Sequence, residues 1–477
     1  MENTNKMKWY HHLGYALGEM SYTIENTFIA SYMVLYFTTT IGIPALTIGT
    51  LTLVCRIIDA FTDLGFGMLA DRTKKNKMGK FKPWYVGSLI PTAISFVLVF
   101  TVPGGIGTGS AAAVLWAYIM YILFGSIFAT VNYQWLSAQT AVCTDDPKEK
   151  RTMITWRHIA MAVAGIVISY TGINLILGFG GGNLMERKGF MWTAIVIAAI
   201  SLVLGIYSAV TSKERSVLNQ WAQDSVTTEN PAEKLKIKDE FKIFKGNKML
   251  WGALLINMFN FMLATATTTL TSYFYTYYVG NPIVIATVMT IATFAGSAFN
   301  IIVGPILTQK LGRNALYFIS GAIVIICWVV TFLAMKNVTV LTIAQCFFQA
   351  GIILFSNIIF RSIPDAVDWG EWKYGVRAPG MVSASISFFQ KLGMGVSTFL
   401  VTAALTWVGY KEGAIEQTVE AANGIRLIYP LIPTIFVFLS LIGFFVINSV
   451  KKDELIQMRK DLDEKRGRQF DEKNAIV

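Results

Sequence analysis

Long apolar runs separated by short polar turns make up most of the chain. Runs able to cross a hydrocarbon layer as a helix, about 20 residues, fall at 11–37, 46–70, 84–103, 111–141, 153–178, 190–211, 250–278, 283–308, 315–335, 338–363, 381–409 and 425–449. The pattern predicts an all-α membrane protein with twelve transmembrane helices. The longest hydrophilic piece divides them evenly. It predicts an N-terminal six-helix bundle over 1–212, a cytoplasmic linker over 213–249, a C-terminal six-helix bundle over 250–450 and a cytoplasmic tail over 451–477. Within the linker, ENPAEKLKIKDEFKIFKGN reads as a short interfacial helix. In the tail, Leu455, Met458 and Leu462 share one helical stripe and predict docking against the cytoplasmic surface. GMLADRTKKNKMGK after the second run and GPILTQKLGRN after the eighth both pair a small-residue helix end with a basic turn. The two halves therefore read as pseudo-symmetric repeats.

Composition agrees, and it excludes other classes. With 54% hydrophobic and 14% charged residues and a mean hydropathy of +0.52, the chain is too apolar for a soluble globular protein. A net charge of +11 would suit a nucleic-acid binder, but the basic residues sit in alternate turns. Arg72, Lys74, Lys75, Lys77, Lys80 and Lys82, then Lys148, Lys150 and Arg151, then Lys310 and Arg313 mark one side of a bilayer. By the positive-inside rule that side is cytoplasmic and holds both termini, so no nucleic acid is expected. Cys55, Cys143, Cys327 and Cys346 lie in or beside apolar runs without metal-binding spacing and read as small core residues. No cleavage site follows the first run, which is expected to remain.

Against this background a few polar residues stand out. Asp59 and Asp63 lie four apart inside the second run, one helical turn from each other, with Arg56 a turn before. A charge at mid-bilayer costs roughly 2.5 to 3.5 kcal/mol, so such acids face an interior and handle ions or protons. The competing reading is a static salt bridge to Arg56 or Lys391. Lys391, in SFFQKLGMG with Gln390, is a lone intramembrane lysine that needs a partner. Hydrogen-bonding side chains beside an aromatic face suit a polar ligand with one apolar side. Asn132, Gln134 and Trp135 in VNYQWLS, with Arg157, supply those types, and Glu19, Tyr22, Thr23 and Asn26 share one face of the first helix. Tyr273 to Tyr278, YFYTYY, reads as an interfacial aromatic belt. The block IPDAVDWGEWKYGVRAPG is acidic but has no His, Cys or phosphate loop nearby, so it does not suggest an enzyme.

These residues, in order, add up to a family pattern. Gly14-Tyr15 and Gly18; Arg56, Asp59, Ala60 and Asp63; Gly79-Lys80-Phe81-Lys82-Pro83; Asn132 with Ser137; Arg157; Pro364-Asp365, Asp368, Gly370-Glu371, Gly375, Arg377 and Gly380; and Lys391 run nearly end to end. The chain resembles the glycoside-pentoside-hexuronide cation symporters of the major facilitator superfamily, which include melibiose, glucuronide and xyloside permeases. The resemblance implies a secondary transporter working by alternating access between two six-helix bundles. It implies cation coupling at Asp59, Asp63, Asn132 and Lys391, and sugar binding at Thr23, Asn26, Asn132, Trp135, Arg157, Gln390 and Lys391. It also implies a cytoplasmic gate in which Asp71, Arg72, Lys80, Asp365, Asp368, Glu371 and Arg377 form ion pairs in one state and break them in the other. Leu64 stands where the family usually has Pro, and Ala129 and Asn132 stand where sodium-coupled melibiose permeases have a hydroxyl and a third acid. Fewer oxygens favour H⁺ over Na⁺, which a site at Asp59 and Asp63 would otherwise hold. The expectation is a monomeric, multi-pass carrier in a bacterial inner membrane, importing a glycoside, pentoside or hexuronide with no cofactor beyond the coupling ion. The alternatives are a non-transporting sensor in a carrier fold and a lipid or drug exporter.

Overall fold

The computed structural model describes residues 7–72, 78–79, 81–143, 147–212, 241–304, 306–307, 311, 313–375, 379–414, 416–450 and 452–465. The architecture is all-helical. Up to residue 212 the helices are α1 (Trp9–Leu35), α2 (Ala45–Arg72), α3 (Lys82–Val99), α4 (Ala111–Tyr121), α5 (Thr130–Val142), α6 (Pro147–Phe179) and α7 (Arg187–Thr211). From residue 248 on come α8 (Lys248–Tyr273), α9 (Ile283–Ile302), α10 (Arg313–Leu333), α11 (Val338–Tyr374), α12 (Pro379–Trp407), α13 (Val419–Asn448) and the tail helix α14 (Lys452–Lys465). Three π-helical turns extend or join them: Tyr36–Thr40 after α1, Ile122–Ala129 between α4 and α5, and Phe274–Val279 after α8. The middle one makes α4 and α5 a single rod.

Among the described residues nine stretches are long and apolar enough to cross a membrane. Glu19, Glu25 and Asn26 dilute α1, and in α9 and α11 the described apolar stretches cover Ile283–Phe299 and Val338–Ile352. The acidic block after the tenth run continues α11 to Tyr374, where Gly375 ends the helix at φ 66°. A left-handed residue at this position is how many helices stop.

The chain forms two compact units that interleave in sequence: Met1–Ala232 with Thr268–Thr290 and Phe399–Ile425, and Glu233–Thr267 with Ile291–Thr398 and Arg426–Val477. In the first, α1 packs on α7 along a seam of small residues. Gly14 lies against Thr211, Gly18 against Ser208, and the Ser21 and Ser201 hydroxyls meet at 2.9 Å. Small residues four apart let helix backbones approach closely, which replaces the hydrophobic effect as the source of attraction in lipid. Beside the seam, Tyr15, Tyr85, Leu89, Trp135, Leu136, Cys143, Met153 and Ala209 close a buried core. In the second unit α8 and α13 meet the same way, with Gly252 and Gly443 face to face.

The tail docks as its apolar stripe predicts. Met458 and Leu462 bury against Trp369 of α11, and Leu455 packs on the same cluster. Arg459 Nη2 pairs with Asp365 at 2.8 Å, and Trp372 Nε1 donates to Asp461 at 2.8 Å.

A bulky residue in the α1–α7 seam should therefore be costly. Gly18→Leu is expected to lower the melting temperature of the detergent-solubilised protein, since overpacking a tight interface costs about 1–3 kcal/mol. Gly178→Ala, where an added Cβ meets nothing within 4 Å, should leave it within error.

Candidate functional site

Asp59 sits in the middle of α2 and is 2% exposed. Its two oxygens are occupied from different helices. Arg56 Nη1, one turn earlier, donates to Oδ2 at 3.0 Å, and the Ser126 hydroxyl donates to Oδ1. Arg56 in turn stands near the phenols of Tyr121 and Tyr22, while its Nε is buried without a partner. Hydrogen bonds to charged groups contribute about 1.5–3 kcal/mol each, and buried charges without them are strongly penalised. Asp63 is half-buried one turn further along α2. The carboxylates with the Ser126 hydroxyl are the oxygens that a bound cation could use here.

Ser126 was not among the expected residues. It lies one turn before Ala129, on the π-helical segment Ile122–Ala129. Extra residues in that turn shift the helix face relative to a regular wheel, so regular spacing could not have found it.

A second cluster joins α1, α5 and α6. Arg157 Nη2 lies 3.1 Å from Glu19 Oε1 and 3.4 Å from the Tyr133 hydroxyl. The Tyr133 and Tyr22 rings pack with centroids 5.0 Å apart. Glu19 is 2% exposed, and its Oε2 has no hydrogen-bond partner. Asn132, 4% exposed, likewise has a buried Oδ1 with no partner. Such orphan acceptors are uncommon in native structures and point to strain or to a ligand.

The other expected sugar-site residues are placed less uniformly. Thr23 is half-buried, and Asn26 turns its Nδ2 back to Tyr22 O of its own helix at 3.0 Å. Trp135 is not brought to this face. It is fully buried in the first unit's core, its ring 6.3 Å from that of Tyr85, because a large aromatic at a helix crossing fills space that smaller neighbours leave. Tyr133, which spacing did not single out, is the aromatic beside Arg157. Gln390 and Lys391 are half-buried on α12 in the second unit.

At one end of the first unit, the stretch expected as an interfacial belt is instead a buried clasp. Tyr273 and Tyr275 are 0% exposed. Thr38 Oγ1 meets the Tyr273 hydroxyl at 2.7 Å, and Thr39 Oγ1 meets those of Tyr277 and Tyr410 at 2.9 and 3.0 Å. The Ala45 amide donates to Glu412 at 2.9 Å and Gly413 N to Thr38 O at 3.1 Å. Burial of phenols demands partners, and the π-helical turns at Tyr36–Thr40 and Phe274–Val279 present them. Of the expected gate residues, Asp365 is held by Arg459 of the tail rather than by a basic turn, and Asp368 and Glu371 are half-buried on α11. Lys80 and Arg377 lie outside the described residues, as do the side chains of Asp71 and Arg72.

A sequence profile described as "MFS/sugar transport protein" matches residues 14–449. The chain belongs to the MFS/sugar transport family. Within it, the isoprimeverose transporter of Lactiplantibacillus pentosus is 27% identical over 472 residues, covering 98% of this chain and 93% of that protein. The glucuronide carrier protein homolog of Escherichia coli strain K12 is 25% identical, with coverage of 94% and 95%. In fold, the crystal structure of a bacterial homologue of the human lysosomal transporter Spinster superposes with a TM-score of 0.69 at 14% identity, over 93% of this chain and 98% of that one. The family is that of the glycoside symporters, with the major facilitator fold, and its members are multi-pass membrane transporters rather than enzymes.

Within this family member the Ser126 hydroxyl has a defined job. Ser126→Ala should leave one buried oxygen of Asp59 without its donor and cost about 1–3 kcal/mol, read as a lower melting temperature. Ser126→Thr, which keeps the hydroxyl, should recover most of the loss.

Proposed function

We propose that the protein imports a glycoside by symport with H⁺, in preference to Na⁺, through alternating access of two six-helix halves in a bacterial inner membrane. Both termini are cytoplasmic, the working unit is a monomer, and the bilayer and the sugar are its partners. The observation that carries the reading is the Asp59 carboxylate, buried at 2% exposure inside a glycoside-symporter relative. Both its oxygens receive hydrogen-bond donors, from Arg56 and Ser126. With Arg56 already offsetting the charge of Asp59 and only the two carboxylates and the Ser126 hydroxyl to offer oxygens, the site has little net negative charge and few ligands for Na⁺, which favours H⁺ as the coupling ion. When Asp59 takes a proton, its attraction for Arg56 falls, and Arg56 becomes available to other partners. Lys391 on α12 is the proposed exchange partner of Asp59 and Asp63 in that cycle, and Asn132 and Arg157 the proposed sugar ligands.

The clasp of Thr38, Thr39, Tyr273, Tyr277 and Tyr410 supports alternating access. Hydroxyl contacts of this kind are individually modest, about 0.5–1.5 kcal/mol each, so they can hold one end shut and still open in the cycle. One positive charge crossing 100 mV supplies about 2.3 kcal/mol, enough for some fifty-fold accumulation at one charge per sugar.

Asp59→Asn, which keeps the shape and removes the titrating group, is expected to abolish uphill accumulation of labelled glycoside in energised proteoliposomes while sparing counterflow exchange. Uphill accumulation at the wild-type level in this variant would refute the coupling assignment.

A further inference from the structure

We propose that Glu19 makes the sugar site select uncharged glycosides over hexuronides, an inference that rests on the glycoside-symport reading. The relatives leave the question open, since one is named for isoprimeverose and another for a glucuronide, which carries a carboxylate. Arg157 alone would favour the anion. The structure alters that electrostatic balance at Arg157. Glu19 Oε1 lies 3.1 Å from Arg157 Nη2, so the guanidinium is compensated before any substrate arrives.

The pair is built to stay together. Glu19 is 2% exposed and Arg157 retains 23% side-chain exposure, so the acid is enclosed and the base is the member that reaches open space. A hexuronate seeking Arg157 would have to displace Glu19 and strand a second carboxylate in the interior. Leaving one member of a buried ion pair without its partner is among the costliest changes a protein interior undergoes, and two carboxylates beside one guanidinium repel each other. A neutral ring meets no such barrier.

The second carboxylate oxygen adds a positive preference to this rejection. Glu19 Oε2 is buried and has no partner. An ionised carboxylate only accepts hydrogen bonds, so the group that completes it must be a donor. A sugar hydroxyl is a donor, and both kinds of glycoside carry hydroxyls, but a hexuronide that directs its carboxylate at Arg157 brings an acceptor beside this oxygen instead. Sites that leave a polar group unpaired with the wrong ligand discriminate more strongly than sites that rely on shape. The Tyr133 hydroxyl, held 3.4 Å from Arg157, and the Tyr22 ring packed against Tyr133 place an aromatic wall beside the acid. Such a wall suits the C–H face of a pyranose. When the site opens to substrate, Glu19 takes a hydroxyl on Oε2, which is closed off here, and holds Arg157 on Oε1.

The test uses the full-length protein in proteoliposomes, with labelled methyl β-D-xyloside and methyl β-D-glucuronide as probes. The wild type is expected to favour the xyloside by at least about tenfold in kcat/KM. Glu19→Gln should raise KM for the xyloside roughly tenfold with a smaller change in kcat, and should increase glucuronide uptake, because Arg157 is then uncompensated. Glu19→Asp, with its charge intact, should keep the neutral preference, and its melting temperature separates misfolding from a changed site. Equal transport of the two probes by the wild type, or an equal loss of both in Glu19→Gln, would overturn the proposal while leaving glycoside symport standing. Transport of neither probe by a folded wild type would count against glycoside symport itself and would take the Glu19 proposal with it.

Discussion

A carboxylate inside a bundle of apolar helices cannot rely on water, so every partner it has must come from the protein. Asp59 meets this constraint with Arg56 from its own helix and Ser126 from the π-helical segment between α4 and α5. The same requirement shapes Arg157, which takes Glu19 from α1 and the Tyr133 hydroxyl from α5. Together these contacts tie α1, α2, α5 and α6 through polar bonds at the positions where the apolar sequence is interrupted. In a bilayer, where apolar surfaces gain little from meeting one another, such bonds and the small-residue seam of α1 with α7 account for how the first unit holds its register.

The same economy appears at the ends of the helices. The clasp around Thr38 and Thr39 gathers phenols whose burial would otherwise be unfavourable, and the tail helix gives Asp365 a cation and Trp372 an acceptor. Neither region depends on a single strong bond. Several weak ones, each satisfied by a neighbour, make contacts that are specific and still reversible.

Much of this was legible in the chain. The apolar runs foretold the helices and the stripe of Leu455, Met458 and Leu462 foretold the docked tail, while the Arg56–Asp59 pair that the structure shows stood in the sequence only as the competing reading of that acid. What escaped has physical causes. Ser126 lies on a π-helical turn, where a regular helical wheel assigns the wrong face. Tyr273 to Tyr278 looked like a membrane-surface belt because aromatic composition does not reveal whether a phenol finds Thr38 or Thr39. Trp135 was read as a sugar platform by type alone, although its bulk was needed in the core, and Tyr133 took the position beside Arg157. Asp365 was paired in expectation with the basic turns, but only the three-dimensional path of the tail brings Arg459 to it.

The coupling role of a donor-lined carboxylate is tested most directly by following external pH as glycoside is added to lightly buffered, de-energised proteoliposomes free of Na⁺. Proton symport predicts alkalinisation of the medium on addition of a transported sugar, with uptake that needs no sodium. Uptake that requires Na⁺ and leaves the external pH unchanged would contradict it.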